Sequence, residues 1–370
     1  MEDTMRILSL TLDPMLLDPA SIAMKRQHAY YRGHECTLVV LRKGGAVNFQ
    51  EKGIHIRAFG GASKAGVFFR TITQLLRENV QYDLIIAQDV LWAGLMGYLI
   101  KWRHGGHLIT QLHGDYLDNP KWLQSGALHG ILNDLGKWVL RRSDGVRTVS
   151  KVIEDYIVDK LHYPRAQTIS IPIGTELTLF QQSGVRAKVD GRYVMFAQRL
   201  IPEKSPMHFV SIMIVLMRKY PDLHAVIAGV GSLKEDMSAQ FRNSGLHERT
   251  HFLGQIGMAE LATYYRGATC LLHTAGWEGW GMPMIEAMAC GAPVVTTKTG
   301  CAGEAVIHDR NGIITPIDDV DGMRRGVERL LAEPETFARM SKSAIEDARL
   351  WSFDSLSDKL RAWYEERAKD

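Results

Sequence analysis

The 370-residue chain is poor in cysteine, and neither sign of charge dominates it. Four cysteines, Cys36, Cys270, Cys290 and Cys301, lack metal-ligand spacing. Buried free thiols in a reducing compartment are therefore expected, and the chain reads as cytoplasmic. Long apolar runs are also missing. The longest candidates, such as "DLIIAQDVLWAGLMGYLI", are interrupted by Asp89 and fall short of the ~20 apolar residues that a spanning helix needs. The first residues, "MEDTMRILSL", begin acidic and continue as a strand-like run, so no secretory leader is expected. With 44 Lys+Arg against 41 Asp+Glu the net charge is only +3, and no nucleic-acid partner is expected. The balance is uneven, however. Residues 1–175 hold 21 basic against 16 acidic side chains, +5, and residues 176–370 hold 23 against 25, −2. A basic first half suits either an anionic partner or an ordinary surface.

What is present is a regular alternation. Short apolar, β-branched runs at 5–12, 36–41, 54–59, 83–88, 107–113, 145–150 and 167–172 are separated by amphipathic stretches. Phe68, Ile72, Leu75 and Leu76 recur at helical spacing, and Leu128, Ile131, Leu132, Leu135 and Val139 do the same. Continuously apolar strands are those buried on both faces, so the pattern predicts a doubly wound parallel sheet. It restarts at 193–198 and continues through 224–229, 250–254, 270–275, 293–297 and 312–316. A length of 370 residues also suits two domains at about 150 residues each. Domains of 1–175 and 176–350 are expected, with a terminal helix over 351–370 whose Leu356, Leu360, Trp363 and Tyr364 share one face.

The chemistry concentrates in "WEGWGMPMIEAMACGAPVV", where Glu278 and Glu286 stand with seven residues between them. Pro283 fits the first turn of a helix and Gly291 its C-terminal stop. Glu278 then falls in the loop after a strand and Glu286 one turn into the helix. Gly281 and Met282 would present backbone N–H groups at a helix N-terminus, an anion site by geometry and dipole. Carboxylates beside a phosphate site make sense if the ligand is a nucleotide sugar: amides hold phosphate, carboxylates hold hydroxyls. Arg199 and Lys204, five residues apart after a strand, would supply two cations to a diphosphate and stabilise its charge as it leaves.

These blocks resemble the retaining GT-B glycosyltransferases of family 4. The Glu, seven residues, Glu signature carries the likeness, together with "FAQRLIPEKSP", "HAVIAGVGSLKEDM", "THFLGQI" and "GAPVVTTKTGCAGEAVIHDRNGIITP". "ITQLHGD" is similar to that family's His-Gly segment. The resemblance implies two Rossmann-like domains facing across a cleft. It also implies sugar transfer with retention from a UDP- or GDP-linked donor to a hydroxyl acceptor, a lipid-linked glycan or polysaccharide intermediate. Glu278, His113, Arg199 and Lys204 would act at the reaction centre. Glu286, Gly281, Met282, Pro283, Gly229, Gly254, Gln255 and Ile256 would hold the nucleotide, with Glu286 on the ribose. No cofactor and no metal are expected, and the resemblance implies that the last helix crosses back to the first domain.

Two places depart from the family pattern. The loop after the first strand reads "TLDPMLLDPAS" instead of being glycine-rich, and the hinge reads "PIGTE". Asp319-Val320-Asp321 reads as a helix cap and first-turn acid. Peripheral membrane contact is a further expectation for Trp122, Trp138, Lys137, Arg141 and Arg142, for residues 60–70, and for Trp92, Tyr98 and Trp102, against ordinary core packing. Two other functions use the same scaffold: a GT-B epimerase or phosphorylase, and a non-catalytic nucleotide-sugar-binding subunit.

Overall fold

The computed structural model describes residues 4–114, 116–124, 126–181 and 184–369. They form two compact units, Met1–Pro172 with Asp354–Asp370, and Ile173–Phe353. Among the described residues no helix is long and apolar enough to cross a membrane.

In the first unit the strands are β1 (Arg6–Thr11), β2 (Glu35–Val40), β3 (Val47–Glu51), β4 (Ile54–Ala58), β5 (Leu84–Ala87), β6 (His107–Leu112), β7 (Gly145–Thr148) and β8 (Thr168–Ser170). They lie in the order β3-β4-β2-β1-β5-β6-β7-β8, parallel except for β3. The apolar runs are buried as expected: Leu84, Ile85, Ile86 and Ala87 are fully covered, which is the reason this strand shows no alternation. β3 was not anticipated. Its sequence, VNFQE, is polar at alternate positions and half-exposed, as an antiparallel edge strand should be. Chain order runs outward from β1 through β2 to β4, then returns to β5 beside β1. That reversal is a topological switch point, where doubly wound sheets bind ligands at the strands' carboxyl ends.

The helix Lys64–Arg77 buries Phe68, Ile72 and Leu75, the face that the spacing indicated. The helix His129–Leu140 follows its expected face only in part: Val139 is buried and Leu132 and Leu135 are half-buried. It buries Asn133, Gly136, Val139 and Leu140, while Leu128 and Ile131 are 65% and 68% exposed. Gly136 explains the rotation: its missing side chain admits Val90, Leu91 and Leu117, each 3.2 Å from where a Cβ would stand. In the helix Phe353–Arg367, Leu356, Leu360, Trp363 and Tyr364 are buried. Tyr364 Oη accepts from Gln111 at 2.7 Å, and His34 meets Glu365 at 3.2 Å.

The second unit holds β9 (Arg192–Ala197), β10 (Leu223–Ala228), β11 (Thr250–Gly254), β12 (Cys270–His273), β13 (Val294–Thr297) and β14 (Gly312–Thr315). Their order is β11-β10-β9-β12-β13-β14, all parallel. The switch point here lies between β9 and β12. Arg199 and Lys204 follow the first of these strands, and Glu278 follows the second.

Candidate active site

Three loops at the carboxyl ends of β9, β10 and β12 build the site. After β9 the chain makes a short turn over Pro202–Lys204, with Ser205 left-handed at φ 45° before the helix Pro206–Lys219. Thr274, just beyond β12, pins that turn: its Oγ1 donates to the carbonyls of Lys204 and Ser205 at 3.0 Å each. Lys204 is thereby held over the loop after β12. Its ammonium donates to Glu278 Oε2 at 2.7 Å and to the Trp277 carbonyl at 3.2 Å. An ammonium has three donors, so one remains for a ligand.

Glu278 sits against a second group, His273, whose Nε2 lies 3.5 Å from Oε2 and whose side chain is fully buried. The side-chain amide of Gln198 meets the same imidazole nitrogen at 2.8 Å. The other carboxylate oxygen accepts from the Gly279 amide at 3.1 Å. Burial pushes the Glu278 carboxyl up, but His273 and Lys204 outweigh burial and hold it down at about 2. Glu278 is therefore an acceptor at neutral pH, with lone pairs left for hydroxyl groups.

The loop ends on Gly281, whose φ of 89° is the left-handed region. A Cβ there would lie 2.3 Å from the Met284 methyl. The helix Met282–Ala289 starts at this point with Pro283 in its first turn, and Met284 N closes on the Gly281 carbonyl at 2.9 Å. The amides of Gly281 and Met282 are ahead of any intrahelical acceptor. Gly300 supports the loop from behind: its Cβ would stand 2.4 Å from the Trp280 carbonyl and 2.9 Å from Glu278 Cγ. The indole N–H groups of Trp277 and Trp280 are buried with no partner among the described residues.

Glu286 is buried one turn into the helix. Tyr265 Oη donates to its Oε2 at 3.4 Å; burial and then this carboxylate push the phenol well above its ordinary range, so it stays a donor. Arg199 is exposed and makes no ion pair among the described residues. Gly229 carries φ 140°, and a Cβ there would collide with the Gln198 carbonyl at 2.0 Å. Gly229 thus lets the loop after β10 cross the end of β9, and its amide donates to the Gly254 carbonyl at 2.7 Å. Gly254 itself is left-handed with open space where a side chain would go, next to exposed Gln255 and half-buried Ile256. Asp319 caps the helix Val320–Ala332 through Gly322 N at 2.8 Å, and Asp321 pairs with Arg324 and Arg325, as the capping reading expects.

His113 belongs to the first unit, at the carboxyl end of β6. Its Nε2 lies 2.9 Å from Gln111 Oε1, which also accepts from Arg147 at 3.1 Å. Desolvation at the strand end, then Arg147 and Arg26, push its basicity down to about 3. The residue is exposed at the strand end, and its imidazole is neutral at pH 7.

The sequence brought out Lys204, Glu278, Gly281 and Glu286 but not their supports. Gln198, His273, Thr274 and Gly300 act through contacts made across the sheet. A histidine closing an apolar strand before a threonine was the one available signal.

Two Rossmann-like units, each with its own switch point, are the architecture of the GT-B fold. Models of two families match, "Glycosyl transferases group 1" over residues 180–347 and "Glycosyltransferase Family 4" over residues 24–179. The chain is 30% identical over 353 residues to a GDP-mannose-dependent alpha-(1-6)-phosphatidylinositol monomannoside mannosyltransferase of Mycolicibacterium smegmatis, covering 88% of this chain and 87% of that one. It belongs to glycosyltransferase family 4. A glycogen synthase of Mycobacterium tuberculosis is 25% identical over 64% of this chain, and the match spans 57% of that relative's length. Among solved structures, Anabaena HepE in complex with UDP-glucose superimposes with a TM-score of 0.75 at 19% identity, covering 96% of this chain and 98% of that one.

Proposed function

We propose that the protein transfers a sugar from a nucleoside-diphosphate sugar to a hydroxyl acceptor, with retention at the anomeric carbon and without a metal ion. The observation that carries this reading is the Lys204–Glu278 contact at 2.7 Å beside the open amides of Gly281 and Met282. One loop end thus offers a cation and two N–H groups for phosphate next to an ionised carboxylate for hydroxyls. Lys204, Arg199 and the two amides stabilise the diphosphate as it leaves, the task a metal would otherwise perform. Glu278 holds sugar hydroxyls, and buried Glu286 holds the ribose. The loops at Gly229 and Gly254–Ile256 flank the nucleotide.

For His113 the family resemblance supports contact with the transferred sugar, and a neutral imidazole suits hydrogen bonding to a hydroxyl. UDP and GDP are both candidate nucleotides: the HepE complex holds a uridine nucleotide, and the mycobacterial relative is named for GDP-mannose. The acceptor is read as a lipid-linked glycan or polysaccharide intermediate, at a peripheral membrane location on the cytoplasmic side.

A thermal-shift panel of UDP, GDP, ADP and dTDP, with and without magnesium, tests the donor site. One nucleotide should stabilise the wild type without metal, and much less so Lys204→Ala. Stabilisation only with magnesium would overturn the metal-free reading.

A further inference from the structure

His273 closes β12, one of the two strands that flank the second unit's switch point, and the sheet fixes its ring from both sides. Gln198, just past the end of β9, brings its side-chain amide to Nε2 at 2.8 Å. Thr296, paired in register with His273 on β13, stands with Oγ1 3.4 Å from Nδ1. The side chain is fully buried, and a buried ring nitrogen costs stability unless a partner meets it.

The loop after β12 is folded over this imidazole. Nε2 lies 3.5 Å from Glu278 Oε2. Gly281 closes over both groups: a Cβ there would stand 3.2 Å from Glu278 Cγ and 3.6 Å from the same nitrogen. An ionised carboxylate only accepts, so the ring edge that faces it must carry hydrogen. A hydrogen on Nε2 leaves Nδ1 to accept from the Thr296 hydroxyl. The Gln198 amide then turns its oxygen to the ring, since either end of an amide fits that place. Oε2 of Glu278 is thus occupied by Lys204 at 2.7 Å and faced by His273, whereas Oε1 accepts from Gly279 N at 3.1 Å. With about two lone pairs on each oxygen, Oε1 keeps one.

We propose that His273 is a positioning residue: its Nε2–H holds Glu278 Oε2 toward the sheet and so turns Oε1 to a hydroxyl of the transferred sugar. The inference rests on the reading that Glu278 meets that sugar; the contact between the two side chains does not. A histidine that only packed β12 would, when lost, weaken nucleotide and sugar nucleotide alike. One that orients Glu278 matters to the sugar and leaves the nucleotide alone. Amides replace an imidazole at one nitrogen at a time. The side-chain nitrogen of glutamine falls near the place of Nε2, and that of asparagine near Nδ1, so the two substitutions keep different hydrogen bonds.

Isothermal titration of the full-length protein with UDP, UDP-glucose, GDP and GDP-mannose tests this. For the sugar nucleotide that binds the wild type, His273→Asn and His273→Leu should raise Kd at least tenfold, while Kd for its parent nucleotide changes less than twofold. His273→Gln should stay within threefold of the wild type for both. Equal losses for nucleotide and sugar nucleotide, or equal behaviour of the Gln and Asn variants, overturn the positioning role. A urea-unfolding cycle of His273→Gln, His273→Leu and Glu278→Gln, with the corresponding double variants, needs no ligand. His273→Leu/Glu278→Gln should lose less than the two single losses summed, and additivity overturns the contact. If neither sugar nucleotide binds the wild type, the donor reading fails, and the cycle still decides whether His273 holds Glu278.

Discussion

Lys204 Nζ lies 2.7 Å from Glu278 Oε2, across 74 residues of sequence, and both side chains are mostly covered. The pair fixes where positive charge meets the β12 loop, because Lys204 spends two of its three donors on that loop. Lys204→Ala should lower transfer by at least about 10²-fold in kcat, the scale of losing one preorganised donor. Far-UV circular dichroism should stay unchanged. Steady-state kinetics at saturating donor check this, and near-normal turnover would remove Lys204 from the reaction centre.

The depressed Glu278 pKa has a consequence for acid stability. A carboxylate held at about 2 when folded, against an ordinary 4.5, contributes stability that is complete above 4.5 and lost as pH falls toward 2. The stake is on the order of 3 kcal/mol. Urea unfolding of wild type and Glu278→Gln at pH 7 and pH 3 should therefore show a gap that narrows at the lower pH. A constant gap would mean that His273 and Lys204 do not hold the carboxyl down.

Much of this was legible in the sequence. Strands buried on both faces write themselves as unbroken apolar runs, as β5 does, and thirteen of the fourteen strands coincide with an expected one. β3 escaped because an edge strand with one half-exposed face has too few apolar residues to stand out. Glu278 and Glu286 were visible because a helix start and stop, Pro283 and Gly291, fixed their places along the chain. Gln198 and Thr274 were not: each reaches between β9 and β12, and strand order is not written in local spacing; His273 meets Glu278 only because the loop after β12 folds back on its own strand. The face of the helix His129–Leu140 was right at Val139 and wrong at Leu128 and Ile131, which follow a helical period yet lie on the open side.

Gly300 tests whether the loop around Glu278 must keep its position. Gly300→Ala faces a left-handed φ of 57° and a carbonyl 2.4 Å from the new Cβ, whereas Gly245→Ala faces only its φ of 72°, with open space around it. The conformational penalty alone is about 1–2 kcal/mol. Gly245→Ala should lose that much in urea unfolding and Gly300→Ala more, because of the clash, but only Gly300→Ala should raise the KM for donor, by tenfold or more. Equal KM values would show that the loop accommodates a side chain without moving Glu278.

In the first unit, Arg147 is buried to 2% exposure, with no carboxylate as partner among the described residues. Its guanidinium donates to the carbonyls of Ile171 and Pro172 at 2.9 and 3.1 Å and to Gln111 Oε1 at 3.1 Å. Gln111 in turn donates to Tyr364 Oη and tethers His113. Gln111→Leu keeps the volume but strands a buried cation donor, which should cost about 1–3 kcal/mol in urea unfolding. His113→Ala removes a partly open side chain and should cost under about 0.5 kcal/mol, while lowering kcat/KM for donor. The two variants therefore separate two duties: Gln111 holding the unit together, and the sugar contact proposed for His113. If His113→Ala instead destabilised the protein as much as Gln111→Leu and left kcat/KM intact, the histidine would belong to the network alone.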